Sequence, residues 1–245
     1  MKHTTGHRTD RGPKPENEDT ILVLGLSEHP EVTILIVSDG MGGANAGAEA
    51  SQTAVSVIRR ELTSPRIPTS ADAEDRIIEA IQEAHRAINR MASSHASLHG
   101  MGCTVVVAVI IDDTFWIGHV GDSRAYLVRE DEIQQLTQDH SWVNSQIREG
   151  KMTEQQAASL QLGHVLDRAL GIEGDVQVDI WPDDVLEEGD ALVLCTDGLY
   201  GVVNQAEILR AATTLEPQEA ADRLVALALA APARDNLSAV ILKHC

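Results

Sequence analysis

The stretch Ile34-Leu35-Ile36-Val37-Ser38-Asp39-Gly40 is an apolar run that stops at an acidic residue and a glycine. Much later, Ala191-Leu192-Val193-Leu194-Cys195-Thr196-Asp197-Gly198 repeats this pattern. Each run predicts a buried strand with one carboxylate at its end, followed by a glycine that lets backbone or ligand come close. Asp-Gly alone is a common turn dipeptide. Two such units indicate strands that present carboxylates to a shared site for hard cations such as Mg²⁺ or Mn²⁺.

Composition excludes several classes of protein. The chain has 245 residues, of which 43% are hydrophobic and 2% aromatic, so we expect an aliphatic core large enough for one domain. The scarcity of aromatic residues argues against a platform for single-stranded nucleic acid. The formal net charge of −19 argues further against nucleic acid or an anionic membrane as a partner.

The three cysteines, Cys103, Cys195 and Cys245, show no Cys-x-x-Cys spacing. Two of them lie in apolar runs, which predicts reduced, buried thiols. The N-terminus is polar, and no apolar stretch reaches the roughly 18 residues that a transmembrane helix needs. We therefore expect a cytoplasmic protein without a membrane anchor.

Hydrophobic periodicity predicts strands joined by antiparallel turns and helices that come in pairs. The predicted strands span residues 21–24, 32–37, 104–111, 115–120, 124–128, 191–197 and 237–242. The predicted helices span residues 48–62, 73–91, 204–212 and 217–231, with a short helix near 153–156. A glycine-rich stretch at 40–47 opens the first helix, Pro65 and Pro68 break the chain, and residues 140–171 form a polar excursion. The pattern favours the α+β class.

Acidic residues lie at turns or strand ends in five places, which are Glu18-Asp19, Asp39, Asp122, Asp197 and Asp235. Taken singly, each is typical of a solvated turn or cap residue. Oxygen ligands without a matching set of His or Cys disfavour a zinc-type site and favour Mg²⁺ or Mn²⁺. Two such ions about 4 Å apart, bridged by one water, would lower the pKa of that water and aim it at an electrophile.

Other phosphate chemistries lack their motifs. The stretch 40–47 has no Gly-Lys-Ser/Thr, so it is not a nucleotide P-loop. Val109 and Gly201 stand where a cysteine-dependent phosphatase would need Arg after Cys103 and Cys195. No Asp-x-Asp occurs, which disfavours the aspartyl-phosphate hydrolases.

Taken together, the motifs resemble those of the metal-dependent Ser/Thr protein phosphatases, the type 2C or PPM family, and in particular its compact bacterial members. The motifs are Asn17-Glu18-Asp19, Asp39-Gly40-Met41-Gly42-Gly43, Met101-Gly102-Cys103-Thr104, Gly121-Asp122-Ser123-Arg124-Ala125, Leu136-Thr137-Gln138-Asp139-His140, Thr196-Asp197-Gly198-Leu199 and Arg234-Asp235-Asn236. The resemblance runs almost end to end. It implies one domain over residues 1–245, folded as a four-layer α-β-β-α sandwich of two antiparallel sheets flanked by helix pairs. Residues 140–171 match the family's flap, which influences substrate choice.

The resemblance also implies a dinuclear Mn²⁺ or Mg²⁺ centre. Asp39 would bridge the two ions and position the water between them, and the carbonyl of Gly40 would complete the coordination of one ion. Asp197 and Asp235 would hold the other ion. The activated water would attack the phosphorus of phosphoserine or phosphothreonine in line, without a phosphoenzyme intermediate.

Three further acidic residues complete the implied metal set. Glu18 and Asp19 would act directly or through bound water. Asp122 matches the residue that, with Asp197, holds a third and weaker ion in family members.

Two positions depart from the family pattern. Lys14 stands where the family usually has an Arg that grips the substrate phosphate, so the charge is kept and the bidentate fork is lost. Met41 replaces a His that eukaryotic members offer as general acid. We therefore expect water to protonate the leaving oxygen, with His140 as an alternative acid or, more simply, a packing residue.

These features predict a protein serine/threonine phosphatase that acts on phosphorylated proteins, as a monomer, beside a cognate Ser/Thr kinase. Two alternatives stay open, a regulatory pseudophosphatase, motivated by Lys14, and a hydrolase of small phosphate esters. A pseudophosphatase would hydrolyse p-nitrophenyl phosphate with Mn²⁺ no faster than its Asp39→Asn and Asp197→Asn variants do. A comparison of turnover rates for a phosphopeptide and for a phosphorylated metabolite distinguishes a protein phosphatase from a small-ester hydrolase.

Overall fold

The computed structural model of the chain describes residues 3–42, 46–64, 66–160 and 165–245, without the side chains of residues 154, 158 and 159. Part of the predicted glycine-rich stretch at 40–47, the predicted chain break at Pro65 and a short part of the segment 140–171 lie outside the described residues.

Two antiparallel sheets form the centre of the fold. The strands are β1 (His3–Asp10), β2 (Asp19–Leu26), β3 (His29–Met41), β4 (Gly102–Cys103), β5 (Val105–Ile111), β6 (Thr114–Val120), β7 (Arg124–Arg129), β8 (Glu132–Gln135), β9 (Asp179–Val185), β10 (Ala191–Cys195) and β11 (Leu237–His244). One sheet has the order β1-β11-β10-β7-β8, and the other has the order β2-β3-β5-β6-β9 with β4 paired to β3.

Helices lie on the outer face of each sheet and in the segments that connect the strands. They are α1 (Ala46–Thr63), α2 (Ala73–Ser94), α3 (Trp142–Arg148), α4 (Glu154–Leu160), α5 (Asp197–Tyr200), α6 (Gln205–Thr214) and α7 (Pro217–Ala230). α1 and α2 lie on one sheet, α6 and α7 lie on the other, and α3 and α4 belong to the segment 140–171. Within the described ranges, no helix is both long and apolar enough to cross a membrane.

Strand β3 shows why the sheets stack. Successive side chains of a strand face opposite sides, so Ile34 and Ile36 join the core under α1 and α2 while Leu35 and Val37 join the core between the sheets. A third core lies between the other sheet and helices α6 and α7. The prediction of a four-layer α-β-β-α sandwich is confirmed.

The sequence-based interpretation missed β1, β8 and β9, which are edge strands, and the two-residue β4. An edge strand pairs on one side and faces solvent, so it needs neither a continuous apolar run nor clean alternation. β1 is the clearest case, because its sequence is polar and only Gly6 is fully buried. A side chain at Gly6 would collide with the backbone of Pro217 and Gln218, so this glycine lets α7 lie directly against the strand.

The prediction that both Asp-Gly units end a strand is wrong in its detail. β3 continues through Asp39 to Met41, because Gly40 pairs with Cys103 in the short strand β4. β10 ends at Cys195, and Asp197 is the first residue of α5. The two carboxylates therefore project from a strand interior and from the first turn of a helix.

Candidate active site

A cavity of about 310 Å³ opens at the end of the sandwich where β3 and β10 finish. Its lining consists of Lys14, Glu18, Asp39, Gly40, Met41, Gly42, Thr104, Asp122, Leu166, Asp197 and Asp235. Seven of the eight residues that the sequence singles out are in this lining. The eighth, Asp19, is the cross-strand neighbour of Asp39. The structure thus brings the predicted carboxylates together.

Strand register and two backbone hydrogen bonds hold Asp39 in place. The pairing of β2 with β3 sets Asp19 opposite Asp39. The Asp39 N–H donates to Thr104 Oγ1 over 3.0 Å, and the Asp39 carbonyl accepts from the Thr104 N–H over 2.8 Å. The carboxylate therefore enters the cavity from a rigid part of the sheet.

Gly40 allows three segments to meet beside Asp39. A side chain at Gly40 would collide with the carbonyl of Gly47 at the start of α1 and with the carbonyl of Glu18. The Gly40 N–H donates to that same Glu18 carbonyl over 3.1 Å. The absence of a Cβ therefore places Glu18, the Gly40 backbone and the start of α1 around one wall of the site.

Asp19 is buried, and hydroxyl groups satisfy only one of its oxygens. Its Oδ2 accepts from Thr196 Oγ1 over 2.9 Å and from Ser238 Oγ over 2.7 Å. Its Oδ1 is buried without a hydrogen-bond partner among the described residues, and so is Oδ1 of Asp197. A buried carboxylate oxygen without a hydrogen-bond partner lowers the free energy of unfolding, and a bound cation or water at each of these atoms would offset that loss.

Burial and repulsion between neighbouring carboxylates raise the pKa values of the acidic groups in the cavity. Burial, followed by the charges of Asp19 and Asp197, holds the pKa of Asp39 well above its usual range. Burial raises the pKa of Asp19 to about 7, although the Ser238 and Thr196 hydroxyls oppose this shift. Like charges that repel one another in a partly dry cavity are neutralised by protons or by cations.

Among the described residues of the cavity lining, Lys14 is the cationic side chain. Its Nζ lies 2.8 Å from Asp235 Oδ1, and this hydrogen bond raises the pKa of Lys14. One lysine does not balance the carboxylates around it. An all-oxygen donor set with a surplus of negative charge suits Mg²⁺ or Mn²⁺, so the residues present fit these ions.

A separate network holds the turn that carries Asp122. Gly121 has φ +107°, a conformation that favours glycine. Tyr200 Oη donates to the Asp122 carbonyl over 2.9 Å, and the Arg124 guanidinium lies 3.7 Å from the centre of the Tyr200 ring. Burial and then the charge of Asp197 raise the pKa of Asp122 to about 7.

His140 lies behind this turn and outside the lining of the cavity. Its ring is fully buried, accepts at Nδ1 from the Gly121 N–H over 3.0 Å and donates from Nε2 to Asp179 Oδ2 over 3.1 Å. Burial, reinforced by the neighbouring His119, lowers the pKa of His140 to about 4. These contacts support the packing interpretation over the role of general acid.

Sequence reasoning assigned no role to the hydroxyl groups that hold the carboxylates. Thr104 anchors Asp39, while Thr196 and Ser238 bind Asp19. Thr196 directly precedes Asp197, so a hydroxyl residue next to an acidic one was a usable signal. Ser238 carried no such signal, because its contact with Asp19 joins distant parts of the chain.

Comparisons with known proteins match this geometry. The model of the family described as "Protein phosphatase 2C" matches residues 11–239. The chain is 37% identical to a serine/threonine phosphatase, stp, of Listeria innocua over 97% of this chain and 94% of the relative.

Solved structures are similar throughout. The serine/threonine phosphatase of S. agalactiae superimposes with a TM-score of 0.91 at 29% identity, covering 99% of this chain and 100% of that one. The catalytic domain of the serine/threonine protein phosphatase PstP, in complex with 2 manganese ions, has a TM-score of 0.82 at 29% identity and covers 98% of this chain and 97% of that one. The resemblance drawn from the motifs is confirmed, and the chain belongs to the protein phosphatase 2C family.

Proposed function

We propose that this cavity is the active site of a Mn²⁺- or Mg²⁺-dependent enzyme that hydrolyses phosphoserine and phosphothreonine monoesters in proteins. The observation that carries the proposal is the cluster of carboxylates with raised pKa values, two of which have a buried oxygen without a partner in the part of the chain that the structure describes. The chain is a serine/threonine protein phosphatase by its family and by its similarity to enzymes of that name. These relatives disfavour the two alternatives, the pseudophosphatase and the small-ester hydrolase.

Each carboxylate has a proposed role in binding metal. Asp39 would serve both ions of a pair, the carbonyl of Gly40 would complete the coordination of one of them, and Asp197 with Asp235 would hold the other. Their common place in the cavity lining supports a shared role in binding metal.

The remaining acidic residues extend the set. Glu18 and Asp19 would act directly or through water, and the Asp19 Oδ1 atom, which has no hydrogen-bond partner among the described residues, supports a role for Asp19. Asp122 and Asp197 would hold a third ion, and the effect of the Asp197 charge on the pKa of Asp122 supports their proximity.

The chemistry follows from the placement of these groups. Bound ions supply the positive charge that activates water and neutralises the oxygens of the phosphoryl group. Thr104 keeps Asp39 fixed in the orientation that positions the attacking water, and Lys14 adds a positive charge for the substrate phosphate. Met41 lines the cavity, and no histidine is found among the described lining residues, so water protonates the leaving oxygen.

We further propose that residues 1–245 form one domain with a flap at 140–171, that a cognate Ser/Thr kinase makes its substrates, and that the protein is a cytoplasmic monomer. Leu166 supports the role of the flap, because it reaches the cavity lining from that segment. The free thiols Cys103 and Cys195 are buried, which supports a reducing compartment. Light scattering after gel filtration tests the monomer.

Phosphate release from a phosphothreonine peptide tests the enzyme. Wild type should turn over the peptide with added Mn²⁺ and lose activity with chelator, whereas Asp39→Asn and Asp197→Asn should stay near background. Wild-type activity equal to that of both variants would favour the pseudophosphatase. Faster turnover of small phosphate esters than of phosphopeptides would favour the metabolite hydrolase.

A further inference from the structure

A group of metal-ligating side chains lies at the end of the sandwich opposite the carboxylate cavity. His3 begins β1 and His244 ends β11, and the register of these strands makes the two residues direct partners. Asp113 lies in the turn between β5 and β6, in the other sheet. One potential ligand atom from each of the three residues lies within 4.8 Å of the other two.

A hydrogen bond from one ring nitrogen of His3 leaves the other ring nitrogen beside His244. His3 Nε2 lies 2.6 Å from the carbonyl oxygen of Asp112, which can only accept, so Nε2 carries a proton and the neutral form of the ring has its lone pair on Nδ1. This is the second contact that metal-binding histidines usually make through their other ring nitrogen. The tautomer that a metal requires is therefore already set by the backbone.

The second histidine stands at a distance suited to a shared ion. His3 Nδ1 and His244 Nδ1 are 3.1 Å apart. Two Zn–N bonds of about 2.0–2.1 Å at a tetrahedral angle would separate the nitrogens by about 3.3 Å. With an ion between them, His244 carries its proton on Nε2, which lies 3.8 Å from Asp113 Oδ1.

Backbone hydrogen bonds hold two of the three residues in place. The Asp113 carbonyl accepts from the Leu186 N–H over 2.7 Å, and the His244 N–H donates to the Asp190 carbonyl over 2.9 Å. His3 and Asp113 are half-buried, so an ion can reach them from solvent.

We propose that His3, His244 and Asp113 form a binding site for a zinc-like transition-metal ion, separate from the phosphatase centre. Two imidazole nitrogens and one carboxylate are a ligand set for Zn²⁺, with water in the fourth position, and differ from the all-oxygen set of the catalytic cavity. Because its ligands come from both sheets, the ion ties the sheets together at the end farthest from catalysis.

The test measures Zn²⁺ binding to the tag-free full chain in excess Mg²⁺, by competition with a chromophoric chelator. Wild type should bind one Zn²⁺ ion per chain that His244→Ala does not bind, and Asp113→Asn should bind that ion at least about tenfold more weakly. Zn²⁺ should also raise the Tm of wild type more than that of either variant. The number of ions bound by His244→Ala is subtracted from the number bound by wild type. This difference excludes any Zn²⁺ that enters the carboxylate cavity, because both proteins have that cavity.

His7→Ala is the matched control, because it removes a histidine from the same strand outside the group. It should bind Zn²⁺ as wild type does. Equal stoichiometry and affinity in wild type and His244→Ala would overturn the proposal. If His244→Ala does not fold by circular dichroism, His3→Gln makes the same comparison at the other imidazole.

Discussion

The two ends of the sheet sandwich hold titratable groups of opposite character. At one end, burial raises the pKa values of Asp19 and Asp39, and neighbouring carboxylates add to both shifts. Two buried carboxylate oxygens there have no hydrogen-bond partner among the described residues. At the other end, His3 and His244 contact each other through ring nitrogens, beside the carboxylate of Asp113. The same two sheets support both arrangements.

This contrast shows at which end of the sandwich a cation relieves electrostatic repulsion. Repulsion among carboxylates costs free energy until protons or divalent ions neutralise them, so the catalytic end is electrostatically incomplete without them. Imidazole binds metal in its neutral form, so the histidine end is already satisfied by hydrogen bonds, and an ion there would add stability without relieving repulsion. Four measurements test this contrast between the two ends of the sandwich.

Removal of one central negative charge should have the largest effect. Asp39→Asn keeps the size of the side chain but loses the charge that we assign to both ions. We expect kcat/KM for a phosphopeptide to fall on the order of 10³-fold at saturating Mn²⁺. Asp183→Asn, on the exposed surface of β9, is the control and should behave as wild type. A fall of less than about tenfold for Asp39→Asn would remove Asp39 from the centre of the mechanism.

The stability that Mg²⁺ confers should grow with pH. Without metal, the folded chain keeps protons that the unfolded chain has lost, because the pKa of Asp19 rises from 3.8 to about 7. This contribution to the free energy of unfolding is present below pH 3.8 and is lost as pH rises through about 7, a change of about 4 kcal/mol for one such carboxyl. Mg²⁺ replaces the protons, so its stabilising effect should increase over this range.

Urea unfolding with Mg²⁺ and with EDTA, at matched pH values, measures this gain. Taking the difference cancels the opposite trend from His140, whose pKa lowered to about 4 favours the folded state at higher pH. His244→Ala should show the same pH dependence as wild type when Mg²⁺ is the only metal. A gain from Mg²⁺ that does not vary with pH would contradict the raised carboxyl pKa values.

Loss of a supporting hydroxyl should have a smaller effect. Ser238→Ala removes a 2.7 Å hydrogen bond to Asp19 Oδ2, so the carboxylate is less firmly oriented. We expect the Mn²⁺ concentration for half-maximal activity to rise about tenfold, with kcat at saturating Mn²⁺ nearly kept. Ser93→Ala, at the exposed end of α2, is the control. An unchanged Mn²⁺ dependence would mean that Thr196 alone orients Asp19.

The smallest effect is expected at Lys14. Its ion pair with Asp235 is 2.8 Å long but well exposed, so it contributes little and can yield to a phosphate. Lys14→Arg restores the bidentate fork and should lower KM for a phosphopeptide about threefold, with kcat maintained. Lys243→Arg, at the opposite end of the sandwich, should leave KM unchanged. An unchanged KM for Lys14→Arg would show that this position does not grip the phosphate.

Much of the fold was predictable from local pattern, and the exceptions have a common cause. Central strands such as β3 and β5 are buried on both faces, so their sequences are continuous apolar runs. The edge strands β1, β8 and β9 lack that constraint and were missed. The carboxylates of the site were predictable because each one lies just before or just after an apolar run, in motifs with a recognisable order.

The layers of the fold, the family resemblance and the carboxylates of the cavity could be predicted from the amino-acid sequence, because buried strands and charged turns have recognisable local sequence patterns. Three contacts were visible only in the tertiary structure. Asp19 lies opposite Asp39, Ser238 donates a hydrogen bond to Asp19, and His3 pairs with His244. Those contacts depend on strand register and on segments far apart in sequence. A pairing of distant strands is set by the packing of the whole sandwich, which no short stretch of sequence records.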